Sequence, residues 1–166
     1  MPKSRNVFIS KPNSLTPDQQ RFVEALKKIL VERGLRPRTL GETDFPNETP
    51  LGAVRTLLSE CEGCLVLGFT QMLVSQGISK PGSANEEEIT GLKLPTPWNH
   101  IETGMAYMKN IPVMILCEKG ISVGIFDKGI TDRYIHQADL TTDWLTSPRF
   151  LQPFNDWFEE IVQTNR

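Results

Sequence analysis

The feature that most constrains this chain is an alternation of short strand-like runs with segments of helical periodicity. Four candidate strands occupy residues 6–10, 35–40, 65–69 and 111–117, and there is room for one more strand after residue 117. A strand followed by a helix and then by another strand is typical of a parallel sheet with helices on both faces. The order therefore predicts an α/β fold in three layers, helices on either side of a mainly parallel sheet. Pro37 interrupts the second candidate strand, which favours a position at the edge of that sheet.

The predicted helices share one start signal, a hydroxyl residue followed directly by proline. A threonine or serine at this place can cap the first turn, and proline is favoured at the first helical position. Gly34 ends the first helix, because glycine readily adopts the left-handed conformation found there. The start signals are Thr16-Pro17, Thr49-Pro50, Thr96-Pro97 and Ser147-Pro148.

Composition narrows the class of protein. The 166 residues fit one domain spanning 1–166, and a net charge of -2 without a block of Lys or Arg argues against a nucleic-acid surface. No apolar run is long enough for a membrane span and the start is not a secretory signal, so we expect a cytoplasmic protein without membrane contact. Cys61 and Cys64 form a lone C-x-x-C before a buried strand, and with Cys117 they are expected to be reduced core thiols.

The run Trp98-Asn99-His100-Ile101-Glu102 is the most informative segment for function. Ligands on parallel sheets bind beyond the carboxyl ends of the strands, and the third predicted helix begins at that edge. Trp98 and Glu102 are four residues apart and share a helix face, where the helix dipole favours an ionised carboxylate. A carboxylate beside an indole ring is suited to attack or stabilise an electron-poor sugar carbon while the ring stacks on the ligand. The alternative is a surface glutamate beside a core tryptophan.

Other candidates follow the predicted strands at the same edge. Asp127 is interpreted as a contact to a ribose hydroxyl or an acid/base group, or equally as a turn residue in Asp-Lys-Gly. The two histidines, His100 and His136, lack metal-ligand spacing, so no metal site is expected. Ser10 is the candidate phosphate or sugar contact, and aromatic rings are the candidate stacking walls. The predicted ligand contacts besides Glu102 are Ser10, Phe69, Gln71, Trp98, Asn99, Phe126 and Asp127.

Residues 70–95 form a connection longer than compact domains normally use. Because it directly precedes the Glu102 helix, it is interpreted as a lid over a pocket, or equally as a solvated insertion or an oligomer contact. Its acidic run, residues 85–88, is expected to be a solvated turn or a short helix.

Two related families resemble this chain in these segments. Val7-Phe8-Ile9-Ser10 and Trp98-Asn99-x-x-Glu102 resemble the first strand and the W-C-x-x-E segment of TIR domains. The run Glu102-Thr103-Gly104-Met105-Ala106, with the segment 126–132 after the next strand, is similar to nucleoside 2-deoxyribosyltransferases. The resemblance implies a flavodoxin-like fold and a catalytic Glu102. The base-binding aspartates of the transferases are absent, and Asn99 stands at the cysteine of the TIR motif.

These observations lead to one leading hypothesis and two rivals. The hypothesis is cleavage or transfer at the N-glycosidic bond of a nucleotide or nucleoside, with Glu102 as nucleophile or electrostatic stabiliser and NAD as a substrate rather than a cofactor. NAD is favoured over other nucleosides because nicotinamide leaves as a neutral molecule without a proton donor. The first rival is a ligand-binding sensor or assembly module without turnover, and the second is a purely structural partner domain. Self-association into a homo-oligomer is expected, with the aromatic C-terminal helix as a source of apolar surface.

Overall fold

A computed structural model of the chain describes residues 4–164. Five strands form the central sheet, and four short strands lie in an excursion between the third and fourth of these. The helices are α1 (Pro17–Glu32), α2 (Pro50–Ser59), α3 (Pro97–Met108) and α4 (Pro148–Gln163). The strands are β1 (Arg5–Ser10), β2 (Leu35–Arg38), β3 (Gly63–Gly68), β4 (Met72–Val74), β5 (Gly77–Ser79), β6 (Glu87–Ile89), β7 (Leu92–Leu94), β8 (Val113–Glu118) and β9 (Ile135–Ala138).

The central sheet has the order β2-β1-β3-β8-β9, and all four of its pairings are parallel. This is the doubly wound arrangement of flavodoxin-like folds, in which the chain leaves the first strand to one side and then returns to build the other. The predicted α/β fold with a parallel sheet is confirmed, and β2 with its Pro37 lies at an edge as expected.

Two apolar clusters, one on each face of the sheet, make the fold three layers thick. Helices α1 and α4 cover one face, where Leu65 and Leu67 of the central strand point. Helices α2 and α3 cover the other, which receives Cys64 and Val66 from the same strand. The alternation along β3 follows from the two-residue period of a strand, and burial on both faces explains why all six of its residues are buried.

The helix starts follow the hydroxyl-proline signals closely. Thr16 makes a complete capping box with Gln19, and the Thr96 hydroxyl accepts a hydrogen bond from the Trp98 N–H at 3.3 Å. Thr49 makes no such side-chain bond, although α2 begins at the proline after it. Gly34 has a φ of +75° directly after α1, as predicted for a helix-ending glycine.

The segment 70–95 is an ordered arm of nested antiparallel ribbons rather than an irregular loop. Strand β4 pairs with β7 at its base, and β5 pairs with β6 towards its tip. The predicted solvated turn is present in the first half of the acidic run, where Asn85 lies in a turn and the Glu86 N–H donates to the Ser83 carbonyl at 3.1 Å. It is wrong for the second half, because Glu87 and Glu88 lie in β6 opposite Ser79 and Ile78. The ladder hydrogen bonds stabilise an extended backbone there, and the exposed glutamates remain in solvent.

The aromatic residues of α4 belong to the core of this chain. Phe150, Phe154, Trp157 and Ile161 are buried against the sheet, and the guanidinium of Arg33 covers the ring of Phe158 at 4.5 Å. The expected use of these aromatic side chains as an oligomer surface is therefore corrected, because folding of the single chain already buries them. Self-association itself stays a prediction.

Two further expectations concern the cysteines and the membrane. Cys61, Cys64 and Cys117 are buried free thiols, as predicted. Within residues 4–164, no helix combines the length and apolar character needed to cross a bilayer.

Candidate functional site

A pocket of about 390 Å³ opens at the carboxyl edge of the sheet, where the parallel fold is expected to bind ligands. Its walls come from the segments that follow β1, β2 and β3 and from the beginnings of α2 and α3. Its size lies within the range of ordinary small-molecule sites. The residues that line it are Lys11, Pro12, Asn13, Ser14, Leu40, Gly41, Pro50, Gln71, Thr96, Trp98 and Glu102.

A larger cleft of about 800 Å³ lies elsewhere, between β9 and the start of α4. Its acidic residues, Asp139, Asp143 and Asp156, are exposed. Of these two, the smaller pocket is the better candidate because it combines a buried carboxylate with the carboxyl edge of the strands.

Glu102 is the chemically unusual group of this pocket. It lies in the second turn of α3 and is only 7% exposed. Burial raises the pKa of its carboxyl group from 4.5 to about 7, although the hydrogen bond from the Ser10 hydroxyl acts in the opposite direction. The helix dipole, which was expected to favour the ionised carboxylate, therefore does not set the pKa of this group. Loss of hydration outweighs a dipole effect that fades beyond the first turn.

A buried chain of hydrogen bonds fixes the Glu102 side chain. The Ser10 hydroxyl donates to the Glu102 carboxylate at 2.5 Å, and the Asn99 amide donates to the Ser10 hydroxyl oxygen at 2.9 Å. The same amide donates to the Ser10 carbonyl at 3.2 Å, which ties α3 to the end of β1. Because the amide occupies an acceptor site of the hydroxyl oxygen, the hydroxyl proton is directed at the carboxylate.

Ser10 and Asn99 are thus held behind Glu102 rather than in the pocket. Both are fully buried, and neither lines the cavity. The expectation that they touch the ligand is corrected accordingly: the geometry gives them the role of orienting the carboxylate. The side-chain amide oxygen of Asn99, Oδ1, is buried and has no hydrogen-bond partner within residues 4–164.

Trp98 and Gln71 are the two other predicted residues that reach the pocket. Trp98 is 38% exposed and lies one helical turn before Glu102, so its indole ring forms a wall beside the carboxylate. Gln71 follows β3, and its side-chain amide donates to the Ser14 carbonyl at 3.2 Å. Together with Glu102 they form the part of the predicted site that the fold brings together.

Phe69 and Phe126 do not lie at the pocket, and their predicted contact with ligand is corrected. Phe69 is fully buried against Phe22, with the ring centroids 6.2 Å apart in an edge-on arrangement. Phe126 is fully buried on the other face of the sheet, where it fills the space above Gly68 and contacts His100. A ring enclosed by core side chains has no free face for a nucleobase.

Asp127 also lies away from the pocket. It is exposed, it is absent from the pocket wall, and its carbonyl accepts a hydrogen bond from the Ile130 N–H at 3.4 Å. This is the turn alternative of the two interpretations. Among the described residues that line the pocket, Glu102 is the only carboxylate and Lys11 the only cation.

Sequence reasoning places the segment after Ser10 at this edge, but it assigns no ligand contact to the side chains of the opposite wall of the pocket. Lys11, Asn13 and Ser14 follow β1, and Leu40 and Gly41 follow β2. The available signal was topological, because β1 and β2 are parallel neighbours and the segments after them must meet at one edge. The residue types alone carry no signature.

The arm contributes its base to the site. The Gln71 N–H donates to the Leu94 carbonyl at 2.8 Å, so the arm closes on itself next to the pocket. Glu118, at the end of β8, accepts hydrogen bonds from the Thr70 N–H and from the Gln19 amide, both at 2.8 Å. In this conformation residues 72–94 do not line the pocket, so the arm does not cover it.

Metal binding finds no support in the described part of the chain. Residues 4–164 contain no group of three or more His, Cys, Asp or Glu side chains arranged to hold a metal ion.

Comparison with known proteins shows the fold. The structure is similar to a CMP N-glycosidase from Clostridium botulinum, BcmB, with a TM-score of 0.55 and 13% identity over 92% of this chain and 99% of that chain. The TIR domains of the activated Roq1 resistosome, which recognises the effector XopQ, align with a TM-score of 0.45 and 11% identity over 96% of this chain and 82% of that chain. Neither a protein-family model nor a curated protein sequence matches the chain. The predicted resemblance is thus supported at the level of the fold.

Proposed function

We propose that this chain cleaves or transfers the N-glycosidic bond of a nucleotide or nucleoside, with Glu102 as the catalytic carboxylate. The observation that carries the proposal is the placement of one buried, hydrogen-bonded carboxylate in a pocket at the carboxyl edge of a flavodoxin-like sheet. The similar structure from Clostridium botulinum is named as a CMP N-glycosidase, and we take this class of reaction as the lead for the pocket.

The chemistry requires stabilisation of a positively charged sugar. Departure of the base leaves an oxocarbenium-like centre at the sugar carbon, and a nearby carboxylate either stabilises this charge or bonds to it. A desolvated Glu102 interacts with that charge more strongly than an exposed carboxylate would, because the local dielectric is low. Its fixed rotamer, held by Ser10, avoids reorganisation during the reaction.

Glu102 must be ionised to act in this way. Since burial raises its pKa to about 7, activity is expected to rise with pH through neutrality. A cationic substrate beside Glu102 favours the ionised form, and the nicotinamide ribosyl bond of NAD carries such a charge. With no second carboxylate among the described residues lining the pocket, a substrate whose base leaves without a proton donor fits best. NAD is therefore the first substrate to test.

The test is a chromatographic product screen. The protein is incubated with NAD, NADP and a panel of ribo- and deoxyribonucleosides and their phosphates, with and without an acceptor base. Release of nicotinamide or a free base is expected from the unmodified protein and not from Glu102→Gln, which keeps the shape and removes the charge. Asp127→Asn is the matched control and is expected to keep full activity, because Asp127 lies outside the pocket. Full activity of Glu102→Gln on a confirmed substrate would refute the role of Glu102.

The second candidate function is ligand binding without turnover. The observation that favours it is that Glu102 is the single carboxylate among the described residues lining the pocket, so that no second carboxyl group is there to protonate a leaving base. Saturable binding of a nucleotide with no product after long incubation, by both the unmodified protein and Glu102→Gln, would identify this function.

A further inference from the structure

Lys11 is the one cationic side chain among the described residues that line the pocket. It follows Ser10 directly, so the cation and the hydroxyl that holds Glu102 are on neighbouring residues at the end of β1. The Lys11 side chain is only 5% exposed, and a lysine with so little exposure needs a partner for its charge.

Glu42 is that partner, and it is shared. The Lys11 ammonium lies 2.9 Å from one oxygen of Glu42, and the ammonium of Lys27, on α1, pairs with the other oxygen. Glu24, also on α1, lies 3.6 Å from Lys27, so the four groups balance in charge. Burial raises the pKa of Glu42, but the hydrogen bonds from Lys27 and Lys11 together lower it by more. The pKa of Glu42 is therefore below its ordinary value.

This arrangement leaves Lys11 able to bind an anion. An ammonium group has three N–H donors, and the pair with Glu42 uses one of them. Glu42 keeps Lys27 as a partner if Lys11 turns to a ligand, so recruitment of Lys11 does not strand a carboxylate. Asn13 and Ser14 add exposed polar side chains to the same wall.

We propose that Lys11 binds a phosphate group of the substrate, so that the reaction proposed above takes nucleotides in preference to nucleosides. The inference rests on the proposed function and specifies its substrate class. A lysine ammonium is a compact charge of the kind that commonly binds phosphate. Because Lys11 and Glu102 line the same pocket of about 390 Å³, a nucleotide that presents its sugar to Glu102 can turn its phosphate ester towards the Lys11 ammonium.

The test measures binding apart from turnover. Dissociation constants are measured by calorimetry on Glu102→Gln protein for matched pairs: CMP and cytidine, AMP and adenosine, NAD and nicotinamide riboside. The nucleotide of at least one pair is expected to bind ~10- to 100-fold more tightly than its partner without phosphate, as for a charge-assisted hydrogen bond. The identity of that pair distinguishes a monophosphate from a diphosphate ligand.

The Lys11→Met substitution, made in the same Glu102→Gln protein, should remove this preference and leave nucleoside binding within about twofold, since the aliphatic stem is kept. Lys27→Met is the matched control, because Lys27 shares Glu42 but does not line the pocket, and it should preserve the preference. Circular dichroism of each variant reports folding, and Lys11→Arg supplies a second variant that retains the charge and should retain the preference.

Each result has one meaning. Equal binding of nucleotides and nucleosides, or an unchanged preference in Lys11→Met, would overturn the role of Lys11 even if the product screen succeeds. A phosphate preference lost only in Lys11→Met would support it even if no substrate is turned over. In that case the proposed reaction fails while the phosphate site stands.

Discussion

Replacement of Glu102 by glutamine should stabilise the protein at alkaline pH and have little effect at acid pH. Glu102 is 7% exposed, and burial raises its pKa from 4.5 to about 7. In the unfolded chain the carboxyl group ionises near its ordinary pKa, whereas in the folded protein it holds its proton to near neutrality. The folded state therefore binds more protons between these values, and the free energy of unfolding falls as pH rises through that window.

The size of the effect follows from the two pKa values. Each unit of difference corresponds to about 1.4 kcal/mol, so the ionised Glu102 costs the folded protein on the order of 3 kcal/mol once the pH exceeds 7. Glutamine has nearly the same shape and can still accept the Ser10 hydrogen bond, but it has no charge to desolvate. The free energy of unfolding of Glu102→Gln should exceed that of the unmodified protein by about 3 kcal/mol near pH 8 and by little near pH 4.

The assay is denaturant unfolding followed by tryptophan fluorescence at several pH values. The matched control is Glu118→Gln, a carboxylate at the same edge whose two oxygens accept hydrogen bonds from the Thr70 N–H and the Gln19 amide. An amide there turns an NH₂ group towards one of these donors, so this variant should lose about 1–3 kcal/mol at neutral pH. A difference between Glu102→Gln and the unmodified protein that does not vary with pH would refute the argument from desolvation.

Three other predictions test the site and its support. Asn99→Ala should lower kcat about tenfold with little change in KM, because it frees the Ser10 hydroxyl without altering the pocket wall. Steady-state kinetics on a confirmed substrate would measure this, and a rise in KM alone would contradict it. Trp98→Ala should instead weaken ligand binding by about tenfold through loss of the indole wall, as calorimetry would measure, and unchanged affinity would exclude stacking. Gly68→Ala should destabilise the fold by about 1–3 kcal/mol, because a Cβ there would lie 2.6 Å from a core phenylalanine ring. Gly104→Ala should instead stabilise the fold by about 0.5–1 kcal/mol, because a Cβ in that part of α3 would meet open space. Unfolding curves that place both glycine variants on the same side of the unmodified protein would refute the packing argument.

The order and ends of the main elements could be predicted because they depend on local signals. Thr16 and Thr96 cap helices with their own hydroxyls, and Pro37 marks an edge strand since proline cannot donate to a ladder. The carboxyl-edge position of Trp98 and Glu102 then follows from the parallel topology. These parts needed no knowledge of distant contacts.

The remaining parts of the site depend on which side of the sheet a residue faces. Phe69 has the same parity as Leu65 and Leu67, and all three pack under α1 and α4. A strict two-residue period over the predicted strand 65–69 assigns Phe69 to the core, whereas its place at the carboxyl end of that strand favoured a ligand contact; the structure follows the period. The raised pKa of Glu102 also could not be predicted, because it follows from burial that arises only when α3 packs against the end of β1, a strand far away in sequence.

The four short strands of the arm were not predicted for a related reason. Its strands are three residues each, too short for a hydrophobic period, and Ile78 is exposed. Antiparallel pairing of such short segments depends on tertiary contacts between the two sides of the arm, which the local sequence does not specify.

The closed base of this arm bears on how the domain can gain or lose the segment during evolution. Met72 and Leu94 are directly paired, so the two points at which the arm leaves and rejoins the domain stand about 5 Å apart. A gap of that size is spanned by an ordinary tight turn. A single insertion or deletion event can therefore exchange the whole arm for a turn without shifting the register of the parallel strands. Descendants of one ancestral domain can differ by this entire segment and still present the same Glu102 at the same edge.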